Sequence, residues 1–144
     1  MNNNSVLFEE DFKIKGWDFT NAGEASLKIK NYLKEVGIAE NILKRVAITS
    51  YEAEMNIVLY AKEGTINFKV TPKKVLLEVK DRGPGIEDVE LAMKEGYSTA
   101  TEEIRNMGFG AGMGLPNIKK NADMFVIKSE PGKGTKLNIE VYLK

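Results

Sequence analysis

The chain of 144 residues contains neither cysteine nor histidine, and these two absences restrict its chemistry. Without cysteine there is no disulfide framework and no thiolate metal site, which fits a reducing compartment. Without histidine the chain lacks the commonest general base, the commonest transition-metal ligand and any phosphohistidine chemistry. Catalysis by this chain must therefore use carboxylates, lysines, hydroxyls, backbone amides or a hard cation such as magnesium.

The chain also lacks an excess of either charge and any long apolar run. Lysine and arginine together number 21, as do aspartate and glutamate, so no global field attracts nucleic acid or an anionic membrane. The first residues have neither the basic region nor the apolar run of a signal peptide, and no stretch approaches a membrane span. These features predict a single domain over residues 1–144, located in the cytoplasm, with no direct contact to nucleic acid or membrane.

Strand and helix patterns are grouped in blocks along the chain. Asn21 and Glu24 resemble a capping box that opens a helix, and Gly37 closes it. This order predicts an α+β fold, a two-layer α/β sandwich with helices on one face of a mixed or antiparallel sheet. The predicted strands are 6–14, 64–70, 75–80, 124–129 and 135–143, and the predicted helices are 21–36, 38–60, 88–94 and 115–122.

A glycine run with glycine at every second position immediately precedes the helix predicted at 115–122. Glycine permits positive φ and close approach of a ligand, and successive backbone N–H groups form anion sites. A glycine loop that opens into a helix N-terminus is suited to hold a polyphosphate. The alternative is a flexible surface linker, but the interleaved Phe109, Met113 and Leu115 argue against it. The run consists of Gly108, Gly110, Gly112 and Gly114.

Glu52 and Asn56 are one helical turn apart in an apolar stretch of the second helix. An unpaired buried amide costs about 1–3 kcal/mol, so Asn56 needs partners. One interpretation is the solvated polar edge of an amphipathic helix. The other is a magnesium–phosphate site, with Asn56 as oxygen ligand and Glu52 as general base. Glu54 shares no face with Glu52 and is expected to point to solvent.

A third polar segment, Asp81-Arg82-Gly83-Pro84-Gly85-Ile86, directly follows a predicted strand. It is either only a tight turn or a binding segment in which the carboxylate accepts a hydrogen bond from an adenine amino group. Ile86, Met93 and Leu115 could then supply apolar walls for the flat base. Thr135, after the last hairpin turn, could reach the base through water.

Taken in chain order, these segments resemble the N, G1, G2 and G3 boxes of the GHKL superfamily of ATP-binding domains. The boxes are Glu52-x-x-x-Asn56, residues 81–85, residues 108–115 and residues 132–135. Within that superfamily, the short chain and residues 90–99 resemble the anti-sigma-factor serine/threonine protein kinases of bacterial partner-switching systems, of the stressosome type.

The resemblance implies ATP and Mg²⁺ as cofactors and a role for each matching residue. Glu52 would take the proton of the attacking hydroxyl and Asn56 would ligate magnesium. Asp81 would bind the adenine amino group. The remaining implied nucleotide-binding residues are Gly83, Gly85, Ile86, Gly108, Gly110, Ala111, Gly112, Met113, Gly114, Leu115 and Thr135.

Three functions stay open at this point. The first is a serine/threonine kinase acting on a STAS-domain anti-anti-sigma or scaffold protein, and the second is an ATP-dependent module that sequesters a sigma factor with little catalysis. The third, an isolated ATP-binding domain of a histidine kinase, is the weakest because the chain has no histidine. A homodimer is left open. Residues 96–112 are expected to form a lid that is mobile without nucleotide, in which Arg105 faces either phosphate or water. The same two alternatives are open for Lys119 and Lys120, on the helix that follows.

Overall fold

The computed structural model describes residues 5–86, 89–94, 96 and 113–143. Each predicted strand and helix is present, with boundaries that differ from the predicted ones by a few residues. In chain order the elements are β1 (Phe8–Lys15), α1 (Glu24–Glu35), α2 (Glu40–Tyr60), β2 (Glu63–Val70), β3 (Lys74–Asp81), α3 (Val89–Ala92), α4 (Gly114–Asn121), β4 (Met124–Glu130) and β5 (Gly134–Tyr142).

The five strands form one sheet in the order β1-β2-β3-β5-β4. All four pairings are antiparallel, so the antiparallel alternative is correct and the mixed one is wrong. The period-two pattern of β3 explains the two layers: Val75, Leu77 and Val79 are buried, while Glu78 and Lys80 on the opposite face form an ion pair of 3.2 Å. The predicted two-layer α+β sandwich is confirmed.

The long helix α2 is the centre of the helical layer. It packs against α1, against α4 and against the sheet. Most of its apolar side chains are buried, and Ile57 and Val58 have no exposed surface.

The predicted capping box at the start of α1 is wrong. The N-cap residue is Gly23, with φ 93°, and no side chain caps it from within the segment. The side chain of Asn21 instead donates to Asp18 Oδ2 at 2.9 Å. The cap comes from α2: Glu54 accepts the backbone N–H groups of Gly23, Ala25 and Ser26 at 3.0, 3.3 and 2.9 Å.

Glu54 is therefore buried, with 2% of its surface exposed, and the expectation that it points to solvent is wrong. A carboxylate tolerates this burial because three hydrogen bonds and the positive end of the α1 dipole stabilise its charge. The contact fixes α1 to α2 over 31 positions of sequence.

Part of the predicted phosphate-binding run lies outside the described residues, namely Gly108, Gly110, Ala111 and Gly112, as do Arg105 and nearly all of the expected lid. Within the described part of the chain, no helix combines the length and apolar character needed to cross a membrane.

Candidate functional site

Segment 81–86, at the end of β3, lies against the turn between β4 and β5. The carbonyl oxygen of Pro84 accepts a hydrogen bond from the N–H of Gly132 at 2.7 Å. Gly85 has φ 77°, and a Cβ there would overlap the carbonyl oxygen of Glu130. Glycine is thus required both by the left-handed backbone and by the close contact. The structure brings together the two segments that were predicted to bind adenine.

Asp81 is the charged group of this part of the site. Its Oδ1 accepts the backbone N–H groups of Gly83 at 2.9 Å and of Thr135 at 3.2 Å. Burial raises the pKa of Asp81 above its usual value of 3.8, and the two backbone hydrogen bonds partly oppose that rise. Among the described residues, Oδ2 accepts no hydrogen bond, so it is the acceptor available to a ligand.

Two hydroxyl groups lie beside Asp81, and sequence reasoning missed one of them. The oxygens of Ser129 and Thr135 are 2.8 Å apart, and the Ser129 hydroxyl also accepts the N–H of Ile86 at 2.7 Å. Ser129 therefore holds segment 81–86 and Thr135 in a fixed relation. The available signal was the register of the β4–β5 hairpin, which pairs Ser129 with Thr135.

The side chain of Glu52, on α2, lies against the first turn of α4, which begins at Gly114, the last glycine of the run. Its Oε2 accepts a hydrogen bond from the side-chain amide of Asn117 at 3.2 Å. A Cβ placed on Gly114 would lie 3.6 Å from the same oxygen. The first residue of α4 and the Glu52 carboxylate are therefore neighbours.

Asn56 follows Glu52 by one turn of α2 and is half-buried. Among the described residues its side-chain amide has no hydrogen-bond partner, although its surroundings are largely apolar. An amide oxygen is a hard ligand of the kind that magnesium accepts. No group of three acidic side chains in the described ranges could hold a metal ion, so phosphate oxygens would have to complete such a site.

Helix α2 sets the distance between the two halves of the site. A Cβ on Gly83 would lie 3.2 Å from the carbonyl oxygen of Tyr60, so segment 81–86 abuts the last residue of α2. Glu52 lies eight residues earlier, which corresponds to about 12 Å along the helix axis. Segment 81–86 and the Glu52 carboxylate therefore lie about two helical turns apart along α2.

The other predicted site residues that the structure describes differ in burial and in their distance from Gly114. Leu115 is buried, whereas Ile86, Met93 and Met113 are half-buried. Lys119 and Lys120 are exposed and belong to the last turn of α4, at the end remote from Gly114. A surface groove of about 560 Å³ lies elsewhere, and none of the predicted site residues that the structure describes lines it; its walls are Thr20, Asn21, Ala22, Gly23, Glu24, Ser26, Leu27, Lys30, Ala47 and Tyr51.

Comparison with known sequences gives the family. The profile described as histidine kinase-, DNA gyrase B-, and HSP90-like ATPase matches residues 50–144. The chain is 30% identical over 132 residues to the serine/threonine-protein kinase RsbT of Bacillus subtilis, and the match covers 89% of this chain and 91% of the relative. It is 37% identical over 97 residues to an anti-sigma F factor of Caldanaerobacter subterraneus subsp. tengcongensis, with 64% of each chain covered.

A solved structure supports the fold independently. The chain matches the crystal structure of the SiaB-SiaC complex from Pseudomonas aeruginosa with a TM-score of 0.62, over 94% of this chain and 89% of the other. At 12% identity this likeness concerns the fold alone. The sequence relatives confirm the predicted resemblance and the predicted class of ATP-dependent kinase or anti-sigma factor. The chain belongs to the family of histidine kinase-, DNA gyrase B- and HSP90-like ATPases, an ATP-binding family.

Proposed function

We propose that this protein transfers the γ-phosphate of ATP to a serine or threonine of a STAS-domain regulatory protein in a bacterial partner-switching system. The observation that carries the proposal is the position of the Glu52 carboxylate beside the first turn of α4, where the glycine run ends at Gly114. A positioned carboxylate is needed by a phosphoryl-transfer enzyme and not by a protein that only binds nucleotide.

Adenine recognition is assigned to Asp81 and its neighbours. Oδ2, which accepts no hydrogen bond from the described residues, would take one from the exocyclic amino group of the base. Gly83 and Gly85 allow the backbone to follow Asp81 closely, while Ile86 offers an apolar surface to the ring. Thr135 would add a contact through water from the partly buried hydroxyl pair that it forms with Ser129.

Phosphate binding is assigned to the glycine run and the start of α4. Gly114 and Leu115, at the N-terminus of α4, point backbone N–H groups out of the first turn, where the helix dipole favours anions. Asn56 would hold a magnesium ion through its amide oxygen. Bound there, the ion would neutralise charge on the phosphates and orient them.

Glu52 is the base in the proposed reaction. Its carboxylate accepts the proton of the attacking hydroxyl as the new oxygen–phosphorus bond forms, and the bond between the β- and γ-phosphates breaks to release ADP. Because phosphoryl transfer depends mainly on positioning and charge neutralisation, one carboxylate, a backbone cradle and a cation suffice. The chain without histidine is compatible with this chemistry.

The proposed partner is a STAS-domain protein, either an anti-anti-sigma factor or a scaffold. One relative is named a serine/threonine-protein kinase and others are named anti-sigma F factors, which supports a place in such a switch. The names of the second group also support an alternative, in which the protein sequesters a sigma factor in an ATP-dependent manner with little catalysis.

Incubation with ATP, magnesium and STAS-domain proteins from the same genome tests the proposal. Mass spectrometry should find a phosphate on a serine or threonine of one of them. The matched control for Glu52→Gln is Glu24→Gln, because Glu24 is an exposed carboxylate on α1, and it should leave the rate of phosphate transfer unchanged. Stable ATP-dependent binding of a partner without any phosphate transfer would instead establish the sequestering function.

A further inference from the structure

One polar contact of the site, between α2 and α4, has no part in the proposed binding of nucleotide or in the proposed reaction. Asn117 belongs to α4 and Glu52 to α2, 65 positions apart in sequence, and the amide Nδ2 lies 3.2 Å from the carboxylate Oε2. An ionised carboxylate only accepts hydrogen bonds, so Asn117 must turn its NH₂ group and not its oxygen toward Glu52. The contact is partly buried, which strengthens a hydrogen bond to a charged group.

Asn117 is itself held in place by backbone contacts. Its N–H donates to the carbonyl oxygen of Met113 at 2.8 Å, and its own carbonyl oxygen accepts the side chain of Asn121 at 2.8 Å. The carbonyl oxygen of Asn121 in turn accepts Nε of Arg45, on α2, at 2.9 Å. Helix α4 is therefore tied to α2 at Asn117 and at its last residue, Asn121, and the backbone from which the Asn117 side chain reaches Glu52 is held in place.

We propose that Asn117 is a positioning residue that holds the Glu52 carboxylate in the orientation required of the base. By occupying Oε2 it leaves Oε1 to receive the proton of the substrate hydroxyl. It also restricts the side-chain torsions of Glu52, which would otherwise sample several rotamers. The inference rests on the proposed function, because only a catalytic Glu52 needs to be oriented.

Kinetics of Asn117→Ala test the inference. The rate of phosphate transfer at saturating ATP and partner should fall about tenfold, because orientation of the base is lost while the base itself remains. The ATP dissociation constant and the KM for the partner should stay within about twofold of their original values. Asn117→Asp keeps the volume but removes the NH₂ donor, so it should lower the rate at least as much.

A double-mutant cycle separates positioning from a general loss of structure. In a Glu52→Ala background there is no carboxylate to orient, so adding Asn117→Ala should not change the remaining rate. Thr71→Ala is the control for a general loss of structure, because the Thr71 hydroxyl makes three hydrogen bonds in the turn between β2 and β3, at the opposite end of β3 from Asp81. It should lower the melting temperature but keep the transfer rate within about threefold.

The outcomes distinguish this inference from the proposed function. If the unmodified protein transfers phosphate and Glu52→Ala does not, but Asn117→Ala and Asn117→Asp are as fast as the unmodified protein, the positioning role is wrong and the kinase assignment stands. An equal loss from Asn117→Ala in both backgrounds would also refute positioning. If the unmodified protein transfers nothing, the proposed function fails and the inference with it. If Glu52→Ala retains full transfer, the carboxylate is not the base and the inference fails, whereas phosphate transfer as the function stands.

Discussion

Replacement of Asp81 by asparagine separates nucleotide recognition from folding at a single atom. In the folded protein, Oδ1 accepts two backbone N–H groups, from Gly83 and Thr135, and the asparagine oxygen can accept both of them. The asparagine NH₂ group then takes the place of Oδ2. A donor would face the amino group of adenine, which is also a donor, so the local structure is kept and the contact with the base is lost.

The magnitude follows from the hydrogen bond that disappears. A hydrogen bond to a charged group contributes about 1.5–3 kcal/mol. At about 1.4 kcal/mol for each factor of ten, the affinity for ATP should fall roughly 10- to 150-fold. Because guanine presents an acceptor where adenine has its amino group, Asp81→Asn should weaken GTP binding less than ATP binding, or improve it.

Stability should change in the opposite direction from affinity. Burial raises the pKa of Asp81, so the folded state disfavours the ionised carboxylate at neutral pH. Linkage then requires that the carboxylate lower the stability of the folded state as the pH rises through this raised pKa. The neutral amide avoids that cost, and Asp81→Asn should unfold at the same temperature as the unmodified protein or at a higher one at pH 7.

Calorimetric titration with ATP and GTP, together with thermal unfolding, measures both quantities. Asp123→Asn is the matched control, because Asp123 also accepts a backbone N–H, that of Tyr142 at 2.6 Å, but belongs to the loop before β4. It should leave nucleotide affinity unchanged. A folded Asp81→Asn protein that binds ATP as tightly as the unmodified one would refute the adenine assignment.

Three further substitutions test the stability of the fold and its effect on nucleotide binding. Glu54→Ala leaves three N–H groups at the start of α1 without their acceptor and should lower the free energy of unfolding by about 3 kcal/mol. Glu24 is exposed, so Glu24→Ala should change that free energy by less than about 0.5 kcal/mol. Gly85→Ala should displace segment 81–86 and thereby abolish nucleotide binding. Gly132 is also at positive φ but has open space around it, so Gly132→Ala should lower the free energy of unfolding by only about 1–2 kcal/mol. The pKa of Asp123 is lowered, first by a hydrogen bond from a backbone N–H, so its stabilising effect is present above the ordinary value of 3.8 and is lost as the pH falls through the lowered pKa. The unfolding free energy of Asp123→Asn should therefore lie below that of the unmodified protein at pH 7, by up to about 1 kcal/mol, and converge with it in acid.

Each of these expectations has a definite contrary result. Equal melting temperatures for Glu54→Ala and Glu24→Ala would mean that the buried cap contributes nothing. Equal effects of Gly85→Ala and Gly132→Ala on ATP binding would show that contact with Glu130 is unimportant. A stability difference for Asp123→Asn that persists unchanged at pH 3 would exclude ionisation as its cause.

The fold could be predicted from local patterns because period-two alternation and helical spacing agree with burial. In β3, for example, every second residue is buried, as its sequence suggests. The sequence left both a mixed and an antiparallel sheet open, since the order and direction of the strands depend on contacts between residues distant in sequence. The extent of the single domain stays a prediction.

The errors concern side chains whose partners lie far away in sequence. Glu54 was expected in solvent because its neighbours in α2 gave no sign that the start of α1 lies beside it. The same reasoning explains why Asn21 looked like a cap, and why Asn117 and Ser129 were not singled out. Local spacing identifies which residues share a helix face, whereas tertiary packing decides what that face contacts.

The roles of Glu52, Asn56 and the glycine run stay predictions, and the first of them is central. The most direct test is the single-turnover rate of phosphate transfer from ATP to a STAS-domain partner, measured for the unmodified protein and for Glu52→Gln with both substrates saturating. The account predicts that Glu52→Gln binds ATP normally and is slower by roughly 10²–10⁴, the usual contribution of a positioned general base. Equal rates for the two proteins would contradict it.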